Sequence, residues 1–182
     1  MTASRGPEAM QPVLTTERLV LKPLAATDRG QLAEIFSGAG VRRFLFDNEE
    51  VSTETLDAIM AEDLRQSVDG RGMWLIAAGD SVVGCVVLHR DWPPTLATWP
   101  AFAGETEIVI ALKEEHWGRG YAREAVEAAL AYASDTLMTR RIVTLVDEPN
   151  ERSRKLMQRC SFRQIGAAQG PLYMNIAYER ML

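Results

Sequence analysis

A glycine-containing turn between a predicted strand and a predicted helix constrains the fold more than any other feature of this chain. Residues 105–112 (ETEIVIAL) form an apolar run with Thr, Ile and Val that predicts a strand. Gly118 and Gly120 then interrupt the apolar pattern. Residues 119–135 place small and aromatic side chains at every fourth position, as an amphipathic helix does. This strand–turn–helix unit is typical of a sheet covered by helices.

The glycine turn is also the segment with the most direct chemical meaning. At the start of a helix, amide N–H groups lack intrahelical partners and the helix dipole adds partial positive charge. Gly118 and Gly120, with Arg119 between them, therefore predict an anion site suited to phosphate or pyrophosphate. Arg123 stands where a dinucleotide-binding loop has its third glycine, and a Walker motif is absent. Taken alone, the two glycines also fit a turn that binds no ligand.

The rest of the chain alternates between strand and helix patterns. Further strands are predicted at residues 18–23, 73–78, 82–89, 141–146, 162–165 and 172–179, and further helices at residues 28–36, 52–68 and 150–160. Residues 91–104 contain Pro93, Pro94 and Pro100 and are predicted to be an irregular loop. The order β-α-α-β-β-β-α-β-α-β-β predicts an α/β (α+β) fold: a mixed sheet of about seven strands, with helices on its faces and a parallel, right-handed crossover.

Composition narrows the classes of function. The 182 residues suit one domain, predicted over residues 14–182 behind a flexible tail at residues 1–13. The net charge of -5 argues against nucleic acid as the main partner. The two cysteines and two histidines have no metal-ligand spacing, so no metal site is predicted. The sequence shows neither a membrane-spanning run nor a signal peptide, so we expect a cytoplasmic protein that binds no membrane.

Four stretches together resemble one known family. Glu107-Ile108-Val109 followed by His116-Trp117-Gly118-Arg119-Gly120-Tyr121-Ala122-Arg123-Glu124-Ala125 is similar to the acetyl-CoA-binding motif of the GNAT (GCN5-related N-acetyltransferase) family. The resemblance is closest to the RimJ/RimL branch, which acetylates ribosomal-protein N-termini. The other stretches agree with that branch in order and spacing: Thr16-Glu17-Arg18-Leu19-Val20-Leu21-Lys22-Pro23-Leu24 with Asp28, Val82-Val83-Gly84, and Asn150 with Ser153 and Phe162. The resemblance covers nearly the whole chain after residue 13.

The resemblance implies a GNAT fold, in which a mostly antiparallel central sheet is splayed in the middle and carries helices on both faces. It also implies acetyl-CoA (coenzyme A) as cofactor, with the pyrophosphate in the glycine turn and the pantetheine arm along the backbone of the splayed strand. The residues that it assigns to the cofactor are Ile110, Ala111, Leu112, Trp117, Gly118, Arg119, Gly120, Tyr121, Ala122, Asn150 and Ser153.

The acid–base residues depart from the usual pattern of the family. Met157 stands where many members have a proton-donating tyrosine, and methionine cannot donate a proton. The resemblance implies direct attack of an amine on the thioester in a ternary complex. Glu107 is the candidate base, and a solvated strand-edge carboxylate is the alternative. Ser153 is the candidate for protonating the departing thiolate, with a cofactor or helix-capping contact as its alternative.

Other side chains carry weaker predictions. Trp92, Trp99 and Phe102 lie in the predicted loop and either wall a substrate pocket or anchor the loop. His89 is predicted to be structural. Tyr173 is predicted to be a core or edge residue of the last strands.

The identity of the acceptor is left open between several hypotheses. The first is a protein N-terminal α-amine, because its unperturbed pKa of about 8 leaves more neutral amine at pH 7 than a lysine of about 10.4. A small amine, such as an antibiotic, polyamine or amino acid, fits the same residues. Acidic side chains in residues 49–69 suit a cationic acceptor of either type. A non-catalytic acyl-CoA-binding sensor is the alternative that Met157 favours, and a homodimer is left open.

Overall fold

The computed structural model describes residues 11–182, and eight strands in this range form one sheet. The strands are β1 (Leu14–Thr15), β2 (Val20–Pro23), β3 (Gly72–Ala78), β4 (Ser81–Arg90), β5 (Thr106–Leu112), β6 (Arg141–Asp147), β7 (Arg163–Gln169) and β8 (Met174–Met181). They lie in the order β1-β2-β3-β4-β5-β6-β8-β7. Only β5 and β6 pair in parallel, so the prediction of a mixed, mostly antiparallel sheet is confirmed. The strand beyond the predicted number is β1, whose two residues are too short for a periodic pattern.

Helices cover both faces of the sheet, as predicted. They are α1 (Arg29–Ser37), α2 (Ala39–Leu45), α3 (Thr53–Ser67), α4 (Pro93–Thr98), α5 (Tyr121–Asp135) and α6 (Glu151–Arg159). On one face, Ala125 and Ala129 of α5 are fully buried in a core that α6 shares. On the other face, Leu32 of α1 and Leu56 of α3 pack with Leu75 of β3. Within residues 11–182, no helix has the length and hydropathy needed to cross a membrane.

The parallel contact between β5 and β6 is short. It consists of two residue pairs, Thr106 with Ile142 and Glu107 with Val143. β5 stays paired with β4 up to its last residue, and β6 stays paired with β8 along its whole length. Two half-sheets, β1 to β5 and β6 to β8, therefore meet at one end and diverge beyond Glu107. This is the splay that the family resemblance implies.

The irregular loop predicted at residues 91–104 is wrong in part. Residues 93–98 form α4, and a turn of 3₁₀ helix follows at Pro100–Phe102. Pro93 and Pro94 occupy the first helical positions, where the missing N–H breaks no hydrogen bond and the fixed φ suits a helix. The prolines that indicated a loop therefore start a helix.

The predicted tail, residues 1–13, lies mostly outside the described residues. Its described end contacts β3 through two side-chain hydrogen bonds. Gln11 Nε2 donates to Met73 O over 3.1 Å, and Trp74 Nε1 donates to Pro12 O over 2.7 Å. Residues 11 and 12 are therefore held against the sheet.

Asp63 ties α3 to the sheet. Its side chain is 9% exposed, and its Oδ1 accepts a hydrogen bond from the backbone N–H of Met73 in β3. Gly72 leaves room for this contact, since a Cβ there would lie 2.8 Å from Asp63 Oδ1. Burial raises the pKa of Asp63 to about 6, although the Met73 N–H opposes the rise.

Replacing Asp63 with Asn should remove one stabilising contribution that the wild type gains as the pH falls from about 7 to about 4. A carboxyl group with a raised folded pKa stabilises the fold fully below its unfolded value of 3.8, and this stability is lost as the pH rises through about 6. Asn keeps the acceptor for Met73 N–H but does not titrate. We expect urea unfolding at several pH values to show that the free energy of unfolding of Asp63→Asn falls relative to that of the wild type as the pH is lowered from about 7 to about 4.

Asp80→Asn, in the exposed turn between β3 and β4, is the matched control and should follow the wild-type pH dependence. Parallel pH curves for Asp63→Asn and the wild type would contradict the assignment.

Candidate active site

A cavity of about 850 Å³ opens where β5 and β6 diverge. Its wall contains the diverging parts of both strands, residues 107–112 and 144–147, together with the glycine turn. The cavity continues past α3 to the end of β4 and to α4. The glycine turn, the splayed strands and Glu107 thus border a single space.

The structure brings the predicted site residues together with one exception. Glu107 and ten of the cofactor residues line the cavity: Ile110, Ala111, Leu112, Trp117, Gly118, Gly120, Tyr121, Ala122, Asn150 and Ser153. Arg119 does not line it, because its Nη2 turns back and donates to Glu115 O over 3.0 Å. The positive charge predicted at this position therefore comes from other residues.

The glycine turn has the backbone that the sequence predicts. Gly118 and Gly120 have φ of +76° and +83°, a region that side chains disfavour. Gly120 is the N-cap of α5, so the first amides of this helix follow it directly. A Cβ at Gly118 would meet no atom within 4 Å, which means that open space lies beside the main chain there. The geometry fits an anion site at a helix N-terminus.

The sequence analysis missed the pair that holds this turn in place, Arg18 and Glu124. Arg18 Nε donates to Glu124 Oε2 over 2.7 Å, and Arg18 Nη1 donates to Arg119 O over 2.9 Å. Thr16 Oγ1 donates to Glu124 Oε1 over 2.6 Å. Burial raises the pKa of Glu124, but the hydrogen bonds from Thr16 and Arg18 outweigh it and keep this pKa below its ordinary value. The segment before β2 is thereby fastened to the glycine turn.

Trp117 connects the glycine turn to β5 and α2. Its Nε1 donates to Leu112 O over 2.9 Å, and the Arg152 guanidinium lies 4.5 Å from the centre of its ring. A Cβ at Gly40 of α2 would overlap the ring, and Gly40 N donates to Glu114 Oε1 over 2.6 Å. The wall that α2 gives to the cavity is therefore packed directly against the glycine turn.

The start of α6 faces the cavity from the β6 side. Asn150 Oδ1 accepts from Ser153 N over 3.2 Å, so the Asn150 side chain caps the helix. Ser153 lines the cavity with its side chain half-buried. Met157 is 2% exposed and packs in the core beneath the cavity wall. Met157 thus places an apolar side chain where many members of the resembled family have a proton-donating tyrosine.

Glu107 is buried, so the alternative of a solvated strand-edge carboxylate is wrong. The residue is 6% exposed and lies on the cavity wall. Its Oε2 accepts from Thr95 Oγ1 over 2.6 Å, and His89 Nε2 lies 3.0 Å from the same oxygen. A carboxylate held in this way inside a cavity is a candidate proton acceptor.

The aromatic residues of the segment after β4 divide between the two predicted roles. Trp92 lines the cavity, and its ring centre lies 5.3 Å from that of His89. Phe102 is 2% exposed and packs with Val143, and Trp99 packs beside it. Trp92 is therefore a wall residue, whereas Trp99 and Phe102 anchor α4 to the sheet.

Tyr173 and Phe44 bring the hairpin between β7 and β8 close to α2. Their ring centres lie 6.2 Å apart. Phe44 lines the cavity and Tyr173 is half-buried. Tyr173 is thus an edge residue that helps to close the cavity on this side.

The basic and the acidic side chains on the cavity wall come from different elements. The four basic side chains on it that are always charged all stand on α5 and α6, which follow the glycine turn and β6: Arg123, Arg152, Lys155 and Arg159. The carboxylates on the wall come from other elements: Asp47, Glu62, Asp63, Glu107 and Asp147. Glu62, Asp63 and Glu107 favour a cationic group near the start of the gap, whereas Asp147 shares the end of β6 with the basic side chains of α6.

Asp147, half-buried at the end of β6, is the second carboxylate on the wall with a perturbed pKa. Burial raises the pKa of Asp147 to about 6; Asn175, which donates to its Oδ1, opposes the rise, and nearby Asp47 adds to it. No sequence signal pointed to this residue, because its environment depends on the loop after α2 and on β8.

Comparisons with known proteins agree with this geometry. Residues 18–163 match a family model described as an acetyltransferase (GNAT) domain. The chain is 27% identical over 169 residues to the N-acetyltransferase YoaA of Bacillus subtilis, and the match covers 91% of each protein.

Solved structures with the same fold span nearly the whole chain. A GNAT-family acetyltransferase from Bordetella pertussis superposes with a TM-score of 0.78 at 23% identity, covering 93% of this chain and 99% of that one. RimL, a ribosomal L7/L12 alpha-N-protein acetyltransferase solved in complex with coenzyme A, superposes with a TM-score of 0.76 at 16% identity, covering 94% and 98%. At these identities the likeness shows a shared fold.

Replacing Arg18 with Gln should loosen the glycine turn. The change removes the ion pair with Glu124 and the hydrogen bond to Arg119 O. We expect amide hydrogen exchange at residues 118–121, followed by mass spectrometry, to become about fivefold faster, as expected for a net loss of about 1 kcal/mol. Arg29→Gln, which breaks an exposed pair with Asp57, is the control and should leave these amides unchanged. Equal exchange in Arg18→Gln and wild type would show that the turn holds its shape without this pair.

Proposed function

The chain belongs to the GNAT family and is an acyl-CoA-dependent acetyltransferase, and we propose that it acetylates the N-terminal α-amine of a protein or peptide with acetyl-CoA. One observation carries the proposal: a single cavity joins the glycine turn, the splayed strand edge and the buried carboxylate of Glu107. A phosphate-bearing thioester requires the first two features, and an amine that must lose a proton requires the third.

The chain's own groups fit coenzyme A. Gly118 leaves open space beside amides at the N-terminus of α5. Positive charge for the phosphates comes from Arg123, Arg152, Lys155 and Arg159. Beyond Glu107, β5 pairs with no strand of residues 11–182 on its β6 side, so backbone groups near Ile110 are available to an amide-bearing arm. Acetyl-CoA supplies an activated thioester carbonyl when bound.

Glu107 is the group proposed to accept the proton of the attacking amine. Only a neutral amine is a nucleophile, and a carboxylate within hydrogen-bond reach of the acceptor can take the proton that the ammonium group loses. Ser153 lines the cavity from α6 and is proposed to hydrogen-bond the departing thiolate. Because a thiol has an unperturbed pKa of about 8.5, the thiolate is a good leaving group without a strong acid, and Met157 is compatible with turnover.

The two thiols of the chain do not suit a covalent acetyl-enzyme. Burial raises the pKa of Cys85 to about 12 and that of Cys160 to about 11, so both are protonated at neutral pH. Neither residue lines the cavity. This supports direct transfer from thioester to amine.

The wall and rim of the cavity support a chain terminus as acceptor. Buried or half-buried carboxylates suit the charge of an incoming ammonium group. Leu45 lines the cavity and is 40% exposed. Leu172 and Met174, in the hairpin between β7 and β8, are 49% and 37% exposed. A peptide that leaves the cavity beside these side chains covers apolar surface, whereas a small amine does not reach them. The resemblance of residues 16–24 and 107–125 to the RimJ/RimL branch supports the same acceptor class.

Replacing Gly118 with Ala should weaken coenzyme A binding by about tenfold. A side chain at φ +76° costs about 1–2 kcal/mol, which shifts the turn away from its binding shape. Isothermal titration calorimetry with coenzyme A measures the effect. Gly79→Ala is the matched control, because Gly79 also has a positive φ, +59°, and open space, but lies in the β3–β4 turn. An unchanged Kd in Gly118→Ala would exclude the turn as the phosphate site.

The acceptor is tested with a panel of peptides and small amines, by thiol release from acetyl-CoA and by mass spectrometry. We expect acetylation of peptide N-termini, and a kcat at least about a hundredfold lower in Glu107→Gln, as is usual for loss of a general base. Glu105→Gln, two residues away at a half-buried carboxylate that pairs with Arg141 outside the cavity, should keep kcat within about threefold. Turnover of small amines alone would overturn the peptide acceptor. Binding of acetyl-CoA without turnover of any amine would favour a sensor.

A further inference from the structure

Two side chains outside the glycine turn converge on one oxygen of Glu107. Thr95 Oγ1, on α4, donates to Glu107 Oε2 over 2.6 Å. His89, on β4, stands opposite Glu107 in the strand register, and its Nε2 lies 3.0 Å from the same Oε2. Both contacts are made to Oε2, which leaves Oε1 for an incoming group.

All three residues are buried in the cavity wall. Glu107 and His89 are each 6% exposed and Thr95 is 9% exposed. Burying a carboxylate is costly unless donors compensate, and a carboxylate with donors on one oxygen has a fixed orientation. The contacts therefore determine which oxygen of Glu107 faces the acceptor.

The His89 contact is close but poorly directed. Its Nε2 is buried and makes no hydrogen bond of good geometry, although Oε2 lies within reach. Buried polar atoms without a partner are rare in folded proteins. A small rotation of the imidazole makes the bond, so His89 can strengthen its contact when Glu107 carries its full negative charge. Glu62 of α3 is the other carboxylate that faces this imidazole.

Packing on both sides of α4 holds Thr95 next to Glu107. Trp99 and Phe102 follow α4 and are packed into a core cluster with Val143 of β6. Trp92 precedes α4 and packs against the His89 ring. The segment between β4 and β5 is thus anchored at both ends, and its short helix presents one hydroxyl group to the carboxylate.

We propose that Thr95 and His89 are positioning residues that hold Glu107 with Oε1 toward the acceptor amine. The inference rests on the proposed function. In the transfer step Oε1 first takes a proton from the ammonium group and releases it to water. The neutral nitrogen then forms a bond to the acetyl carbon, the C–S bond breaks with its electron pair going to sulfur, and the second proton lost by the nitrogen is taken up by the thiolate. Thr95 and His89 act through Glu107, whose Oε2 both side chains approach.

The test is a double-mutant cycle on kcat and KM. The substrates are acetyl-CoA and an unmodified peptide from the panel that the wild type acetylates. Thr95→Val and His89→Gln are made in the wild type and in Glu107→Gln. We expect each to lower kcat about tenfold or more in the wild type, as loss of a hydrogen bond to a charged group does, with KM for acetyl-CoA within about twofold. In Glu107→Gln the same changes should lower kcat less than about twofold, because the group on which they act is gone.

Two conservative variants serve as controls. Thr95→Ser keeps the hydroxyl group and should restore most of the wild-type kcat. Thr98→Val makes the same exchange as Thr95→Val on the same helix, at a hydroxyl on the cavity wall whose hydrogen bond goes to Pro94 O and not to Glu107, and should keep kcat within about twofold. If Thr95→Val does not fold, as judged by circular dichroism, Thr95→Ala and His89→Gln carry the cycle.

Each outcome has a distinct meaning. Equal losses of kcat in the wild-type and Glu107→Gln backgrounds would overturn the positioning role and leave the proposed function standing. Full activity in Glu107→Gln would overturn both the base and its positioning residues, while acetyl transfer itself would stand. Absence of transfer to any amine by the wild type would overturn the proposed function and this inference together.

Discussion

The short parallel contact between β5 and β6 is the constraint on which the rest of the structure depends. Two residue pairs join the half-sheets, and each strand remains paired on its other side. Gly84 keeps β4 tightly against β5, since a Cβ there would overlap Ala111 O. The half-sheets are therefore rigid where they diverge, and the gap persists as a cavity instead of closing into continuous pairing. Glu107 lies at the last paired position, where the gap begins.

The position of Glu107 relates the charges on the cavity wall to the proposed reaction. Basic side chains on α5 and α6 lie on the side where both strands end and the glycine turn begins. Glu62 and Asp63 of α3 lie toward the Glu107 end of the gap, whereas Asp147 shares the end of β6 with the basic side chains of α6. Under the proposed function, the phosphates of the donor are favoured beside α5 and α6 and the cationic acceptor near Glu107, so the thioester and the amine are expected to meet near the point of divergence.

The sequence predicted those parts of the site that are local in the chain. The glycine turn, α5 and the cap of α6 depend on residues within one short segment each, and the family resemblance added the splay. The Arg18–Glu124 pair, the Thr95–Glu107 hydrogen bond and the environment of Asp147 join elements that are distant in sequence, so no spacing rule reveals them. The loop predicted at residues 91–104 failed for a related reason. Pro93 and Pro94 signal a loop by composition, and only the packing of Trp99 and Phe102 shows that they begin a helix.

Because Met157 cannot donate a proton, the proposed mechanism depends more on deprotonating the amine than on protonating the departing thiolate. With an apolar side chain in place of the tyrosine, Ser153 is the group proposed to contact the thiolate, and a thiolate is already a good leaving group. Deprotonation of an ammonium group is the step that still needs a protein group. The structure surrounds Glu107 with a hydroxyl group, an imidazole and an anchored helix, whereas Ser153 stands in the first turn of α6 with the Asn150 cap contacting its backbone N–H. The distribution of contacts thus agrees with the proposed chemistry, because Glu107, the side chain with more contacts, is the proposed proton acceptor.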